Sequence, residues 1–486
     1  MTVLMVTSEA IPFAKSGGLG DAVPALARAL KKRGIDVGIV MPRYYSTDKN
    51  TLFKYPNAMG VPMGDTERWC AVYRTELPSS RIPVWMLDRE DLFGRQGLYG
   101  PDGSHSWADN SLRFAFLSAA AFQLSRFLGR IPDILHLHDW QSAPVAWLLK
   151  HFERARGFEH TASVLTIHNL GYQGVFPPSE AAIFPQEALN AGFADLLRGA
   201  DMNFLAAGIN CADAINTVSP SYAKEILLPE YSEGLGAELN AKTDRLRGIL
   251  NGMDYADWNP ARDKALRPLN YDWYWLRGKA KLKARLQREA GLPLREDVPL
   301  FGMVTRLTGQ KGIDLLTDIH SPALKEFREG RAQLAILGSG ERRYEEALEG
   351  ISKEIPENCR ARIGFSGPYS RLVEAGSDFF IMPSRYEPCG LNQMYSLRYG
   401  TLPIVRRTGG LADTVRSLDT SPQSGNGFVF NKPDSRELGD TLSRAVSFYK
   451  NTKTLQKVRK RAMRLRFDWN ASSEQYEALY RQAMEE

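Results

Sequence analysis

At 486 residues, 43% hydrophobic and 24% charged, the chain is longer than the roughly 250–300 residues that one core can organise, so two large domains are expected. Lysine and arginine number 62 against 56 aspartate and glutamate residues, and no basic run is interleaved with aromatics, which excludes a nucleic-acid-binding module. No run reaches the roughly 18–20 apolar residues of a membrane span, and Met1-Thr2-Val3-Leu4-Met5-Val6 turns polar at once, unlike a signal peptide, so a cytoplasmic protein without membrane partners is expected.

In chain order, short apolar runs of strand type recur at Val3–Val6, Asp36–Met41, Val84–Leu87, Ile134–His138, Ser163–Ile167 and Ala214–Val218, with helical patterns between them. Such alternation predicts parallel βαβ units, whose strands are covered on both faces and therefore read as continuous hydrophobic runs. After a polar and aromatic stretch from Asp254 to Asp297, the same grammar restarts at Pro299–Val304 and continues through Leu334–Leu337, Ala361–Phe365, Phe379–Met382 and Leu402–Val405. The expected division is residues 1–253 for the first domain and 254–464 for the second, with the break at Asn251-Gly252-Met253-Asp254. From about Thr454 a charged helical pattern follows that could cap either domain. Cys70, Cys211, Cys359 and Cys389 lie far apart, with no CxxC pair and no histidine at zinc-finger spacing, so neither a disulfide framework nor a structural metal site is expected.

Glycines and polar residues gather where strands end. Lys15-Ser16-Gly17-Gly18-Leu19-Gly20-Asp21 lies between the first strand and a helix predicted over Ala22–Arg33, where backbone N–H groups and a helix terminus can approach a phosphate and Lys15 adds charge. His138-Asp139 and His168-Asn169 also follow strands, on the side of a parallel sheet where ligand sites form, and could orient sugar hydroxyls. Arg306 and Lys311, after the first strand of the second half, suit a diphosphate leaving group. Glu387-Pro388-Cys389-Gly390-Leu391 offers a carboxylate for sugar or ribose hydroxyls and amides at a helix start, and Thr408-Gly409-Gly410 adds donors for the distal phosphate. Cys389 has no histidine nearby in sequence and is not read as a nucleophile.

Taken in order, the segments Lys15–Asp21, Arg306–Gly312, Glu387–Leu391 and Thr408–Thr414, with His138-Asp139-Trp140 and His168-Asn169-Leu170 between them, resemble the bacterial glycogen synthase and plant starch synthase family over residues 3 to about 415. The resemblance implies an α/β GT-B fold, two Rossmann-like doubly wound domains facing across a deep cleft, with a C-terminal helix, about 465–486, packing back on the first domain. It also implies retaining transfer of glucose from ADP-glucose to the non-reducing 4-hydroxyl of an α-1,4-glucan, glycogen or a maltooligosaccharide, with release of ADP and no metal or cofactor. By the same resemblance Glu387, Arg306, Lys311, His168 and Asp139 are catalytic, while Lys15, Gly17, Gly18, Asp21, Cys389, Gly390, Leu391, Thr408, Gly409 and Gly410 bind the donor and its phosphates. Glu9, Tyr99, Asn169 and Asn251 would contact sugar or acceptor, and Phe365 would stack on adenine.

The chain differs from the wider retaining superfamily in one place, as is typical of this family, and from its apparent relatives in two. Tyr395 stands where the wider retaining superfamily has a second glutamate, Ala206 where relatives commonly carry a lysine, and Phe365 where a tyrosine is usual. With no spare carboxylate evident, same-face attack is preferred to a covalent glucosyl intermediate. The alternatives are a UDP-glucose-dependent glucosyltransferase making another glucoside and a non-catalytic glucan-binding homologue. A dehydrogenase is disfavoured, because no G-x-G-x-x-G with a following acidic residue accompanies a strand. Oligomeric state is not legible at this level.

Overall fold

A computed structural model of the chain describes residues 1–101, 105–318 and 320–485. It divides into two compact units, one of Met1–Gly252 with the segment from Trp469 onward, the other of Met253–Asp468. Each is an α/β layer structure around its own sheet.

In the first unit the strands are β1 Thr2–Val6, β2 Asp36–Pro42, β3 Phe53–Lys54, β4 Met59–Met63, β5 Thr66–Glu76, β6 Pro83–Asp88, β7 Ile134–His138, β8 Ala162–Ile167, β9 Val175–Phe176, β10 Leu197–Arg198, β11 Asp201–Asn203, β12 Ala214–Thr217 and β13 Leu246–Gly248. The main sheet runs β13-β12-β8-β7-β1-β2-β6-β5-β3, and β4 adds to β5. From β13 to β6 neighbours are parallel, with Val3 opposite both Val37 and Ile134; β5 is antiparallel to β6. The apolar runs form the parallel strands because helices such as Leu19–Lys32 and Asn110–Phe127 cover them, and their side chains make one buried core.

The second unit contains β14 Leu300–Leu307, β15 Gln333–Gly340, β16 Cys359–Ile363, β17 Phe379–Met382, β18 Leu402–Arg406 and β19 Phe428–Phe430. Its sheet is parallel throughout, in the order β16-β15-β14-β17-β18-β19. Strand order reverses between β14 and β17 here and between β1 and β7 in the first unit. Loops on opposite sides of such a reversal diverge and leave a crevice at the carboxyl ends of the strands.

Several expectations are corrected. The first helix starts at Leu19 rather than Ala22, so Gly20 and Asp21 belong to its first turn. β16 stops at Ile363, because Gly364 at φ 124 leaves extended geometry, and Phe365 lies beyond the strand. The charged C-terminal pattern is two helices, Thr452–Ala462 and Trp469–Glu485. Between them the backbone of Phe467 leaves helical pairing: its carbonyl accepts from Met253 N (2.7 Å) and its N–H donates to the Tyr255 hydroxyl (2.8 Å). The strands β3 to β5 and the small sheet β10-β11-β9 had no counterpart in the sequence reading.

The last helix belongs to the first unit's core. Trp469, Tyr476, Leu479 and Tyr480 are buried there. Tyr480 OH pairs with His136 Nδ1 (2.7 Å) on β7, whose Nε2 pairs with Thr166 Oγ1 (2.7 Å) on β8. Thr166 donates to Asn216 Oδ1 (2.7 Å) on β12, and Asn216 Nδ2 donates to Tyr476 OH (3.0 Å). A buried polar row across three strands is thus closed at both ends by one helix. Among the described residues, no helix is long and apolar enough to cross a membrane.

Candidate active site

In the first unit the glycine turn after β1 is organised by Glu9. This buried carboxylate accepts from Ser16 N (2.5 Å), Ser16 Oγ (2.6 Å), Gly17 N (3.2 Å) and Tyr99 OH (2.5 Å). Ser8 Oγ and Tyr99 OH also share a hydrogen bond of 2.7 Å. Charge-assisted bonds of this kind fix the turn before any ligand arrives. Glu9 and Tyr99 therefore act on the turn, and through it on whatever the turn holds. Gly20 packs closely where the helix begins, since a Cβ there would lie 3.1 Å from Lys15 Cβ and 3.2 Å from Glu9 Oε2. A Cβ on Gly17 would meet nothing within 4 Å, so the space over that residue is open. Gly18 is exposed at the helix start, and exposed Lys15 pairs with Asp21 at 2.7 Å.

Across the strand-order reversal, β7 ends at His138 and the chain turns sharply at Asp139, whose φ of 58° is in the left-handed region that aspartate tolerates better than most residues. Its Oδ1 accepts from His168 N (2.6 Å) and Asn169 N (3.2 Å), tying the end of β7 to the end of β8. Burial raises the Asp139 carboxyl from 3.8 to about 7, against those two amides, which lower it. His138 Nδ1 and His168 Nε2 are 3.1 Å apart. Burial pushes His168 down to about 3 and His138 well below its ordinary value, so both rings are neutral and share one proton at this contact. Asn169 Oδ1 accepts from Gly171 N (3.0 Å). His138 Nε2 and Asn251 Oδ1 are buried with no hydrogen-bond partner among the described residues, and both sit at carboxyl ends of strands. Buried polar atoms are rarely left so without a ligand or water to meet them.

In the second unit the loops after β14 and β17 meet. Lys311 Nζ donates to both oxygens of Glu387, at 2.9 and 2.7 Å, and the two side chains are 17% and 8% exposed. Ser384 Oγ donates to Glu387 Oε2 (2.8 Å). The loops are stitched further by Arg385 N to Gln310 O (2.8 Å) and by Arg406, whose guanidinium reaches Ser384 O (2.9 Å) and Arg385 O. Arg306 is exposed near the end of β14, opposite Ser339 of β15. Ser384 and Arg406 escaped the sequence reading, although each stands within three residues of a motif it singled out.

The turn after β18 also supports the Glu387 loop. Gly410 N donates to Glu387 O (3.1 Å), so that amide is not offered to a phosphate. A Cβ on Gly409 would fall 2.1 Å from Glu387 O, and one on Gly410 equally close, 2.1 Å, to Cys389 O. Both glycines, Gly409 at φ 42, let this backbone lie against the Glu387 loop. Thr408 and Cys389 are buried with it, while Gly390, at φ 70, and Leu391 lead half-buried into the helix Asn392–Arg398. Phe365 is 90% exposed, a ring face open to stacking. Tyr395 is a packing residue, stacked on Trp258 with centroids 3.6 Å apart and planes at 5°. Ala206 is fully buried in the helix Phe204–Cys211, and its N–H donates to Asn203 Oδ1 (2.9 Å), so the position is enclosed by the first unit's core.

Residues 2–241 match the family model described as starch synthase catalytic domain, and residues 285–464 match that of glycosyl transferases group 1. A glycogen synthase of Treponema denticola is 45% identical over 100% of this chain and 99% of its own, and glycogen synthase 1 of Geobacter sulfurreducens is 42% identical over 100% and 96%. Among solved structures, the catalytic domain of starch synthase IV from Arabidopsis thaliana, bound to ADP and acarbose, superposes with a TM-score of 0.90 at 32% identity, covering 100% of this chain and 99% of that one. A sucrose-phosphate synthase from Thermosynechococcus elongatus shares the fold at 19% identity, TM-score 0.60, with 99% and 98% of the two chains covered.

Proposed function

The chain belongs to the glycogen synthase and starch synthase family of GT-B glycosyltransferases, and from that premise we propose that it transfers glucose from ADP-glucose to the non-reducing 4-hydroxyl of an α-1,4-glucan, retaining the anomeric configuration and releasing ADP. The observation that carries this reading is the buried Lys311–Glu387 pair at the strand-order reversal of the second unit. A binding protein has no need of an ammonium held by a carboxylate where a diphosphate would leave.

The chemistry follows from where charge develops. As the anomeric C–O bond breaks, negative charge grows on the departing diphosphate and positive charge on the sugar. Lys311, fixed by Glu387, which Ser384 holds in turn, and Arg306 stabilise the first. A preorganised donor of this sort contributes roughly 10²–10³ in rate. Glu387, with both oxygens turned to Lys311, balances the ammonium, and its proposed partner is the transferred glucose. The leaving phosphate oxygen takes the proton of the attacking 4-hydroxyl on the same face, which preserves configuration. Neutral His168 and the Asp139 turn bind glucose hydroxyls, and Lys15 with the exposed Gly18 turn serves the phosphates; Phe365 stacks on adenine and Asn251 receives a hydroxyl of the sugar.

The test is transfer of labelled glucose from ADP-glucose to glycogen, with UDP-glucose in parallel and the anomeric configuration of the product read by NMR. Incorporation from ADP-glucose into α-linked product is expected. Preference for UDP-glucose, or glucan binding without transfer, sinks the reading.

A further inference from the structure

A second group of ligating side chains lies in the first unit, away from the strand-end cluster. His151 Nε2, Asp195 Oδ2 and Cys211 Sγ form a triangle with edges of 2.8 Å (His–Asp), 3.5 Å (Cys–Asp) and 3.8 Å (Cys–His). They come from three elements: the π turn Leu149–Glu153, the helix Gln186–Leu196 and the last residue of the helix Phe204–Cys211. Cys211 stands just ahead of β12, and its neighbour Asp213 accepts from Ser163 N (2.7 Å) at the beginning of β8. The triangle is therefore at the amino ends of the parallel strands, the opposite edge of the sheet from Asp139 and His168.

Its geometry separates two chemistries. A thiol activated by a histidine–carboxylate relay gives its proton to one ring nitrogen while the carboxylate orients the other. Here thiol and carboxylate converge on the same nitrogen, Nε2, which is how ligands face a common centre. For tetrahedral zinc, bonds of about 2.3 Å to sulfur and about 2.0–2.2 Å to nitrogen and oxygen put ligand atoms roughly 3.4–3.6 Å apart. The sulfur edges already lie near that spacing, and the His–Asp edge reaches it once a cation replaces the shared proton.

The backbone is also shaped to hold this imidazole. π turns are rare inside helices and concentrate at functional positions. The helix facing His151 breaks at Gly192 (φ −147°), where a Cβ would come within 2.4 Å of the ring. Trp147 Nε1 donates to the Gly192 carbonyl (2.8 Å), fixing that break from the other side. Side-chain exposures of 13% for His151 and 32% for Asp195 leave a path for an ion. Lys150 Nζ, 3.0 Å from the same Asp195 oxygen and 46% exposed, can swing to solvent when a dication takes its place.

We propose that His151, Asp195 and Cys211 bind one divalent transition-metal ion of the zinc class, with the fourth position open to water. The ion is structural: it bolts the π turn to the two helices that flank the small sheet β10-β11-β9. The proposal stands apart from the assigned glucosyl transfer, whose residues it does not involve.

The test titrates the full-length, chelator-stripped protein with Co²⁺, then Zn²⁺. One Co²⁺ per chain should bind, with the intense visible bands of a tetrahedral site and a thiolate-to-cobalt charge-transfer band, and Zn²⁺ should displace it. Cys211→Ser should abolish the charge-transfer band, and His151→Gln should weaken affinity by roughly 100-fold or more. Glucose transfer should stay within about twofold in both variants, as removal of a peripheral staple leaves positioned catalytic groups in place. Absence of the band, or its survival in Cys211→Ser, overturns the proposal. Should that variant fail to fold, X-ray absorption at the zinc edge of the wild type decides, since a first shell without sulfur overturns it equally.

Discussion

Lys311 and Glu387 are 76 residues apart in the chain and 2.7 Å apart in space. Replacing Lys311 with alanine removes the clamp on the leaving group and strands a buried carboxylate, so kcat should fall roughly 10²–10³-fold while the KM for glycogen moves little. Steady-state kinetics with ADP-glucose and glycogen check this, and unchanged turnover would falsify the role. Asp139 makes a prediction about pH. Its carboxyl ionises near 3.8 when unfolded and only at about 7 when folded, so the folded state binds the extra proton between those values. Its contribution to stability is therefore complete below pH 4 and is lost progressively as pH rises to about 7, at up to about 1.4 kcal/mol per pH unit. Asp139→Asn keeps an oxygen for the amides of His168 and Asn169 and has no proton to lose. Denaturant unfolding at a series of pH values should show the variant gaining on the wild type between pH 4 and 7, then holding a constant lead.

The turn after β18 shows how an element governs chemistry that its own side chains do not perform. A methyl group on Gly410 would lie 2.1 Å from Cys389 O, and the backbone it displaces carries the carbonyl of Glu387. Gly410→Ala should cost about 1–3 kcal/mol of stability and lower kcat at least tenfold, because misplacement of about 1 Å can cost about 10²-fold. Melting temperature and kcat measured together test it; a normal kcat in a destabilised protein would remove the link. Elements of this kind divide sharply in legibility. The parallel strands were readable as unbroken apolar runs, because both faces are covered. β3, β9 and β10 were not, since two residues carry no period. The start of the first helix lies earlier than the pattern suggests because Gly18 and Gly20 look like turn residues, whereas Gly20 packs closely against Lys15 and Glu9 in the helix's first turn. The motifs around Lys311 and Glu387 were visible, but their ion pair, the support from Ser384 and the diversion of the Gly410 amide are contacts across long loops, which spacing does not encode. Spacing likewise gave no sign of His151, Asp195 and Cys211 as one group, since each comes from a different element.

At the scale of the molecule, the chain leaves the first unit at Gly252 and re-enters it at Trp469. Tyr480→Phe would leave His136 Nδ1 buried and unpaired, which should cost about 1–3 kcal/mol, read as a lower unfolding midpoint of the first unit alone. Removal of the helix Trp469–Glu485 should be far more damaging, exposing the apolar surface that Trp469, Tyr476 and Leu479 cover. Limited proteolysis should then cut within residues 1–252 before it cuts the second unit. The same chain path has a consequence for biosynthesis. Domains generally fold in the order in which the ribosome delivers them. Here the helix that closes the polar row of His136, Thr166 and Asn216 emerges only after the whole second unit has been made. The first unit thus begins before the second and is completed after it, and its nascent sheet must wait, open along one face, until that helix follows the second unit from the ribosome.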